Sequence, residues 1–167
     1  MESSDIELLK SCQLLEALTA EEIANLSGIA EIKLFSKGEI LFKEGDQSTN
    51  IYVVLNGCLG VRKRIVEKKA HNKSLIPVIA ETGPGETIGE FSFFDDNPRS
   101  AEVFAMVDSR ALVLAPHVFS RFKDEFPRAA QKITENLVKI LITRMRKTNK
   151  KLSIALEWGW HGRGFDK

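Results

Sequence analysis

The stretch from Ile88 to Val103, IGEFSFFDDNPRSAEV, gathers residue types that could hold a small anion. Gly89 lets backbone come close to a ligand, and amides at the start of a short helical turn would point at negative charge. Arg99 offers a planar, permanently charged fork for phosphate oxygens. Glu90 would oppose an anion set against it, but a carboxylate also accepts hydrogen bonds from a sugar hydroxyl. An acid beside a phosphate site therefore points to a ribose phosphate, and so to a nucleotide.

Catalytic and metal chemistry find no such cluster. His71, His117 and His161 are scattered without an HxH, so the two-His-plus-Glu set of a metal-dependent β-roll is not expected. Cys12 and Cys58 are far apart and outside any CxxC spacing, and read as packing thiols. No Ser/His/Asp or Cys/His set and no P-loop can be assembled. The chain is expected to bind rather than to catalyse, with neither metal nor cofactor. Its 167 residues are 43% hydrophobic and 28% charged, which suits one globular domain with a helical appendage. A formal charge of +1 argues against a whole surface built to neutralise phosphates, while permitting a local basic patch. The start MESSDIELLK lacks the basic and then apolar pattern of a signal peptide, and no apolar run reaches the roughly 18 residues of a membrane span, so a cytoplasmic location is expected.

The elements that must position the candidate site follow from periodicity. Leu8, Leu9, Leu14, Leu15, Leu18, Ile23 and Leu26 fall at helical spacing, and Thr19 with Glu22 makes a capping-box signature for a second short helix. After Glu31 the pattern changes to short apolar or alternating runs: IKLF, EILFKEGD, NIYVVLNGCLGVRKRIV, LIPVIAETGPGE and SAEVFAMVDSRALVLA. Helices do not fit between the turns, so these are strands of an all-β sandwich or barrel. Gly38, Gly45 and Asn56-Gly57 mark the clearest turns. From Pro116 the helical period returns, and Phe126-Pro127 divides a short helix from a long one running roughly from 128 to 155. The order is helix, β-roll, helix, around one core.

These residues resemble the cyclic nucleotide-binding domain family, that of the catabolite activator protein and the protein kinase A regulatory subunits. IGEFSFFDDNPRSAEV is similar to the family's phosphate-binding cassette, and LFSKGEILFKEGDQSTNIYVVLNGCLGV to its first strands. The resemblance covers roughly residues 8 to 152. It implies an antiparallel β-roll, jelly-roll-like, with N-terminal helices and C-terminal lid helices. The divisions are then a helical segment at 1–30, the roll at 31–115 with its cassette at 88–103, a lid at 116–156 and a tail at 157–167. It further implies a ligand site at Gly89, Glu90, Phe91, Ser92, Arg99, Ser100 and Ala101. Glu90 would take the ribose 2′-hydroxyl and Arg99 the cyclic phosphate. Amides near Phe91 or Ser92 and at Ser100 would complete the cradle. Phe91, Ser92, Phe93 and Phe94 stand where the family more often has small or aliphatic residues, and the phenylalanines are expected in the core rather than stacked on a base. Asp95-Asp96-Asn97 reads as a solvated turn. The ligand is cAMP or cGMP, with a lean to cAMP, and it would close the C-terminal helices to signal to a separate protein. The alternative is an interaction module that kept the roll without the ligand.

In the long helix Ile133, Leu137, Ile140, Leu141 and Met145 form an apolar stripe, and Arg144, Arg146, Lys147, Lys150 and Lys151 make its later half basic. The stripe is either a homodimer seam or a face packed on the chain's own roll. No helix-turn-helix fits after Leu152, so DNA binding is not expected. Trp158 and Trp160 could cap a base as an aromatic lid, or be unattached. A second basic cluster, Arg62, Lys63, Arg64, Lys68, Lys69, His71 and Lys73, reads as an exposed hairpin whose charge resists aggregation, with a partner surface as the other option.

Overall fold

Thr19 accepts from the Glu22 N–H while the Glu22 carboxylate takes the Thr19 N–H, closing the capping box the sequence announces. It starts one of two entry helices, α1 (Ser3–Ser11) and α2 (Ala20–Ile29), which flank a single 3-10 turn at Gln13–Leu15. The computed structural model describes residues 3–63, 65–66 and 74–161. The strands follow as β1 (Glu31–Phe35), β2 (Ile40–Phe42), β3 (Ile51–Asn56), β4 (Leu59–Arg62), β5 (Ile65–Val66), β6 (Ser74–Leu75), β7 (Val78–Thr82) and β8 (Thr87–Ile88). A short helix, α3 (Glu90–Asp95), interrupts them before β9 (Glu102–Ala105) and β10 (Ser109–Leu114). Two helices close the chain, α4 (Pro116–Glu125) and α5 (Pro127–His161), and the break between them falls at Phe126-Pro127 as expected.

Two antiparallel four-stranded sheets, ordered β1-β10-β3-β8 and β2-β9-β4-β7, make the roll, and β5 pairs with β6. The turns at Gly38, Gly45 and Gly57 all have positive φ. At Gly57 a side chain is excluded twice over, because an added Cβ would lie 2.6 Å from the Asp108 carbonyl oxygen.

The expectation of one core needs correcting. Strands β3 and β10 are buried on both faces, so their alternation feeds two apolar clusters instead of one. Tyr52, Val54, Ala111 and Val113 point between the sheets with Phe35, Phe42, Leu59 and Val103. Ile51, Val53, Leu55, Leu112 and Leu114 point the other way, under Leu9, Leu15, Leu26, Phe122, Ile133 and Leu137 of the helices. Each fully buried aliphatic side chain contributes about 1.5–3 kcal/mol, so this second cluster fixes the helices on the roll.

The long helix carries two distinct faces. Ile133, Leu137 and Ile140 are buried in the helical cluster with Leu141 packed against it, so the stripe read from the sequence belongs to the chain's own core. Met145 departs from it and is 60% exposed. On another face Val138, Ile142, Met145, Leu152 and Leu156 are exposed. Asn136 ties the helix to the entry segment by donating to the carbonyl oxygens of Leu14 and Glu16. No helix among the described residues is long and apolar enough to cross a membrane.

Candidate functional site

Gly89 sits between β8 and α3 with φ of +89°, a conformation that L side chains rarely adopt. A Cβ there would lie 2.6 Å from Nη1 of Arg99 and 2.7 Å from the carbonyl oxygen of Asn50. Only glycine lets the cassette backbone and the Arg99 guanidinium share this space. The chain then turns through α3, which ends at Asp96 with φ of +52°, and runs back to Arg99.

Arg99 is 3% exposed, and its hydrogen-bond partners are all neutral. Nε donates to the Ser48 hydroxyl at 3.0 Å, Nη1 to the Gly89 carbonyl at 2.7 Å and Nη2 to the Asn50 carbonyl at 2.7 Å. The guanidinium carbon lies 4.0 Å from the centroid of the Phe42 ring. Its backbone is held as well, with the N–H on the Asp46 carbonyl and the carbonyl on the Gly45 N–H, each at 2.8 Å. No carboxylate stands within ion-pair distance of Arg99 among the described residues. Burial pushes its pKa below the ordinary arginine value, and the more distant fields of Tyr52, Glu90 and Asp46 oppose that shift.

Glu90 is 4% exposed. Its Oε1 receives Nη1 of Arg144, whose Nη2 donates to the carbonyl oxygen of Thr87, so α5 grips β8 and α3 at once. Oε2 of Glu90 and Oγ1 of Thr87 are buried without a partner. A carboxylate oxygen in that position has two lone pairs to offer an incoming hydroxyl.

Arg99 and Glu90 open on one cavity of about 550 Å³, within the range of small-molecule sites. All seven residues singled out in the sequence, Gly89, Glu90, Phe91, Ser92, Arg99, Ser100 and Ala101, line it. The phenylalanines divide, contrary to the expectation of a shared core position. Phe93 is buried against Phe119, whereas Phe91 and Phe94 are about half exposed because a six-residue helix has one face to bury. Asp95 and Asp96 are exposed, as a solvated tip should be. Hydrogen bonds from Asn97 hold the Asp95 carboxyl below its ordinary pKa.

Several lining residues were not assigned to the site from the sequence. Arg144, Lys147, Thr148 and Lys151 face the cavity from α5 at spacings of three and four, a polar stripe that could have signalled a shared face. Lys63 lines it from the β4 side and bonds to the Ser100 carbonyl, so it is more than a solvated charge. Its neighbour Arg62 pairs with Glu102 and lies over the Phe104 ring. Arg64, Lys68, Lys69, His71 and Lys73 fall outside the residues whose side chains are described, as do Trp158, Trp160 and His161. His117 is exposed on α4. Cys12 is buried, which raises its thiol pKa, and Cys58 lies 3.9 Å from the Met106 sulfur.

Among solved structures, the chain is similar to a cyclic nucleotide-binding domain from Methylobacillus flagellatus, with a TM-score of 0.78 and 24% identity over 91% of this chain and 82% of that one. It is also similar to the N-terminal domain of a transcriptional regulator from Streptomyces coelicolor, with a TM-score of 0.68 and 28% identity over 87% and 94% of the two chains. Curated relatives include a lysophospholipase NTE1 of Chaetomium globosum, 33% identical over 84% of this chain but only 9% of that protein. Another is a CRP-like cAMP-activated global transcriptional regulator of Mycobacterium tuberculosis, 24% identical over 88% of this chain and 61% of the relative. The chain thus spans from about a tenth to three-fifths of these curated relatives. The model of the cyclic nucleotide-binding domain matches residues 32–126, more than half of the chain and all but the first residue of the roll, cassette included. With the roll, the left-handed Gly89 and the buried Glu90 and Arg99 in place, the chain belongs to the cyclic nucleotide-binding domain family.

Proposed function

We propose that this chain is a cyclic nucleotide sensor that binds its ligand without transforming it. One observation carries the reading: a buried guanidinium whose hydrogen-bond partners are all neutral borders a cavity that Glu90 also lines, and one oxygen of that glutamate is buried without a partner. A charge taken out of water and left uncompensated is costly, and an anion in the cavity would complete it. The cyclic phosphate goes to the N–H groups of Arg99 that the protein leaves unused, three of the roughly five being taken by Ser48, Gly89 and Asn50. The ribose hydroxyl goes to Oε2 of Glu90. Gly89 gives the ligand its close approach, and amides at Phe91, Ser92, Ser100 and Ala101 surround the phosphate. Calorimetric titration with cAMP and cGMP tests this, with binding well below millimolar expected. No binding below millimolar for either would leave the interaction module instead.

Between the two ligands we favour cAMP, which by its name activates the relative from Mycobacterium tuberculosis. The link to output is α5. Arg144 and the ligand use the two oxygens of one carboxylate, so occupancy at Glu90 changes how that helix is held, and a difference in affinity between the two arrangements shifts their populations. The receiver is a separate protein.

The chain forms a homodimer through α5, along a seam other than the stripe read from the sequence. Val138, Ile142, Met145, Asn149, Leu152 and Leu156 repeat at intervals of four and three, all exposed, on a helix whose core-facing residues point elsewhere. This is the a/d pattern of a two-stranded coiled coil, with Asn149 as the polar residue that fixes register. Sedimentation equilibrium should give a dimer that Leu152→Glu converts to monomer. A wild-type monomer at high concentration, with and without cAMP, removes the seam.

A further inference from the structure

Lys63 stands just past β4 with two partners, the Ser100 carbonyl oxygen at 3.0 Å and Oε1 of Glu44 at 3.4 Å. Glu44 lies in the turn that also grips Arg99, whose N–H donates to Asp46 and whose carbonyl accepts from Gly45. Three polar groups of the cassette backbone, the Arg99 N–H, the Arg99 carbonyl and the Ser100 carbonyl, are therefore held by one turn and one lysine. The side chains of Lys63 and Glu44 are 49% and 42% exposed, so their ion pair adds little stability by itself. What the arrangement does supply is direction. A trans peptide carries its C=O and N–H on opposite edges, and the described chain has no cis bond, so fixing the Ser100 carbonyl also fixes the N–H of Ala101.

We propose that Lys63 is a positioning residue of the anion cradle: by holding the Ser100 carbonyl it aims the Ala101 N–H at one exocyclic oxygen of the phosphate that Arg99 neutralises. The inference rests on the cyclic nucleotide reading and adds a residue outside the cassette. Because Lys63 already bonds to Glu44 and Ser100, its part is to orient a donor more than to attract the anion from a distance. The two exocyclic oxygens then become unequal, one facing the oriented amide and the other not.

The test uses the full chain and the two phosphorothioate diastereomers of cAMP, Rp and Sp, in which sulfur, a weaker acceptor, replaces one or the other exocyclic oxygen. Wild type should separate the diastereomers. Lys63→Met should weaken cAMP by about fivefold to twentyfold, the worth of one hydrogen bond with a charged partner nearby, and should shrink the Rp/Sp affinity ratio. Lys63→Arg should restore both values. Glu44→Gln, which loosens Lys63 without touching β4, should move the ratio the same way by less, and serves if Lys63→Met fails to fold. Equal weakening of cAMP and both diastereomers would make Lys63 a diffuse charge and overturn the proposal, as would unchanged cAMP affinity in Lys63→Met. Should wild type bind none of the three ligands, the cyclic nucleotide reading fails first and this inference falls with it.

Discussion

Arg99→Gln separates a ligand-binding cation from a structural clamp. In the unliganded protein the substitution has two opposing effects. It removes donors from the Ser48 hydroxyl and from the Asn50 and Gly89 carbonyls, at about 1–3 kcal/mol for each acceptor left buried and unpartnered. It also relieves the desolvation of a guanidinium that is 3% exposed, an effect of several kcal/mol. The glutamine amide recovers part of the bonding, so the net change in unfolding free energy should stay within about 2 kcal/mol of wild type. Binding has no such compensation, because the phosphate loses its only buried cation among the described residues. A loss of about 2–5 kcal/mol corresponds to roughly thirtyfold to several thousandfold in Kd. The assay pairs calorimetric titration of cAMP with urea unfolding of the ligand-free protein. A Kd within threefold of wild type, or a stability loss larger than the affinity loss, would refute the assignment and make Arg99 a clamp between the Gly45 turn and the cassette.

Three further outcomes are expected. Gly89→Ala should weaken cAMP at least tenfold, because its Cβ would overlap the Arg99 Nη1 and the Asn50 carbonyl while φ stays positive; unchanged affinity by calorimetry would show that the cassette has room to shift. Ala17 has φ of +65° between the 3-10 turn and α2, so Ala17→Gly should raise the unfolding free energy by up to about 1 kcal/mol, and a lower melting temperature would deny the strain. The Thr19 N–H and other bonds in the capping box hold the Glu22 carboxyl below its ordinary pKa, with the Lys132 ammonium also helping. A depressed folded pKa gives stability that is complete above the unfolded value and fades as pH falls through the folded one. Glu22→Ala should therefore cost about 0.5–2 kcal/mol near neutrality and progressively less on the acid side of the carboxylate range, which denaturation curves across pH would show.

The strands, the entry helices and the break at Phe126-Pro127 were legible because local signals carry them: alternation, a capping box, glycine turns and a proline that ends a helix. The cassette was legible for a related reason, since Gly89, Glu90 and Arg99 lie within one short segment, inside the stretch that the family model matches. Phe91 and Phe94 were misread because aromatic content says nothing of which face a six-residue helix turns to solvent.

What the amino-acid sequence determined by itself is the order of elements and the short run of residues that belong to a cyclic nucleotide-binding domain, both being properties of neighbours along the chain. Only the tertiary structure decided that Arg144 reaches across 54 positions to Glu90, that Lys63 holds the Ser100 carbonyl, and that the long helix buries one apolar stripe while leaving a second exposed. The first and the last depend on how α5 lies against the rest of the chain, where Ile133, Leu137 and Ile140 share one apolar cluster with Leu14, Leu15 and Phe122, and the second on how β4 lies beside the cassette, rather than on any local preference. Periodicity can count the faces of a helix, but it takes the packed partner to say which face remains for a ligand or a second chain.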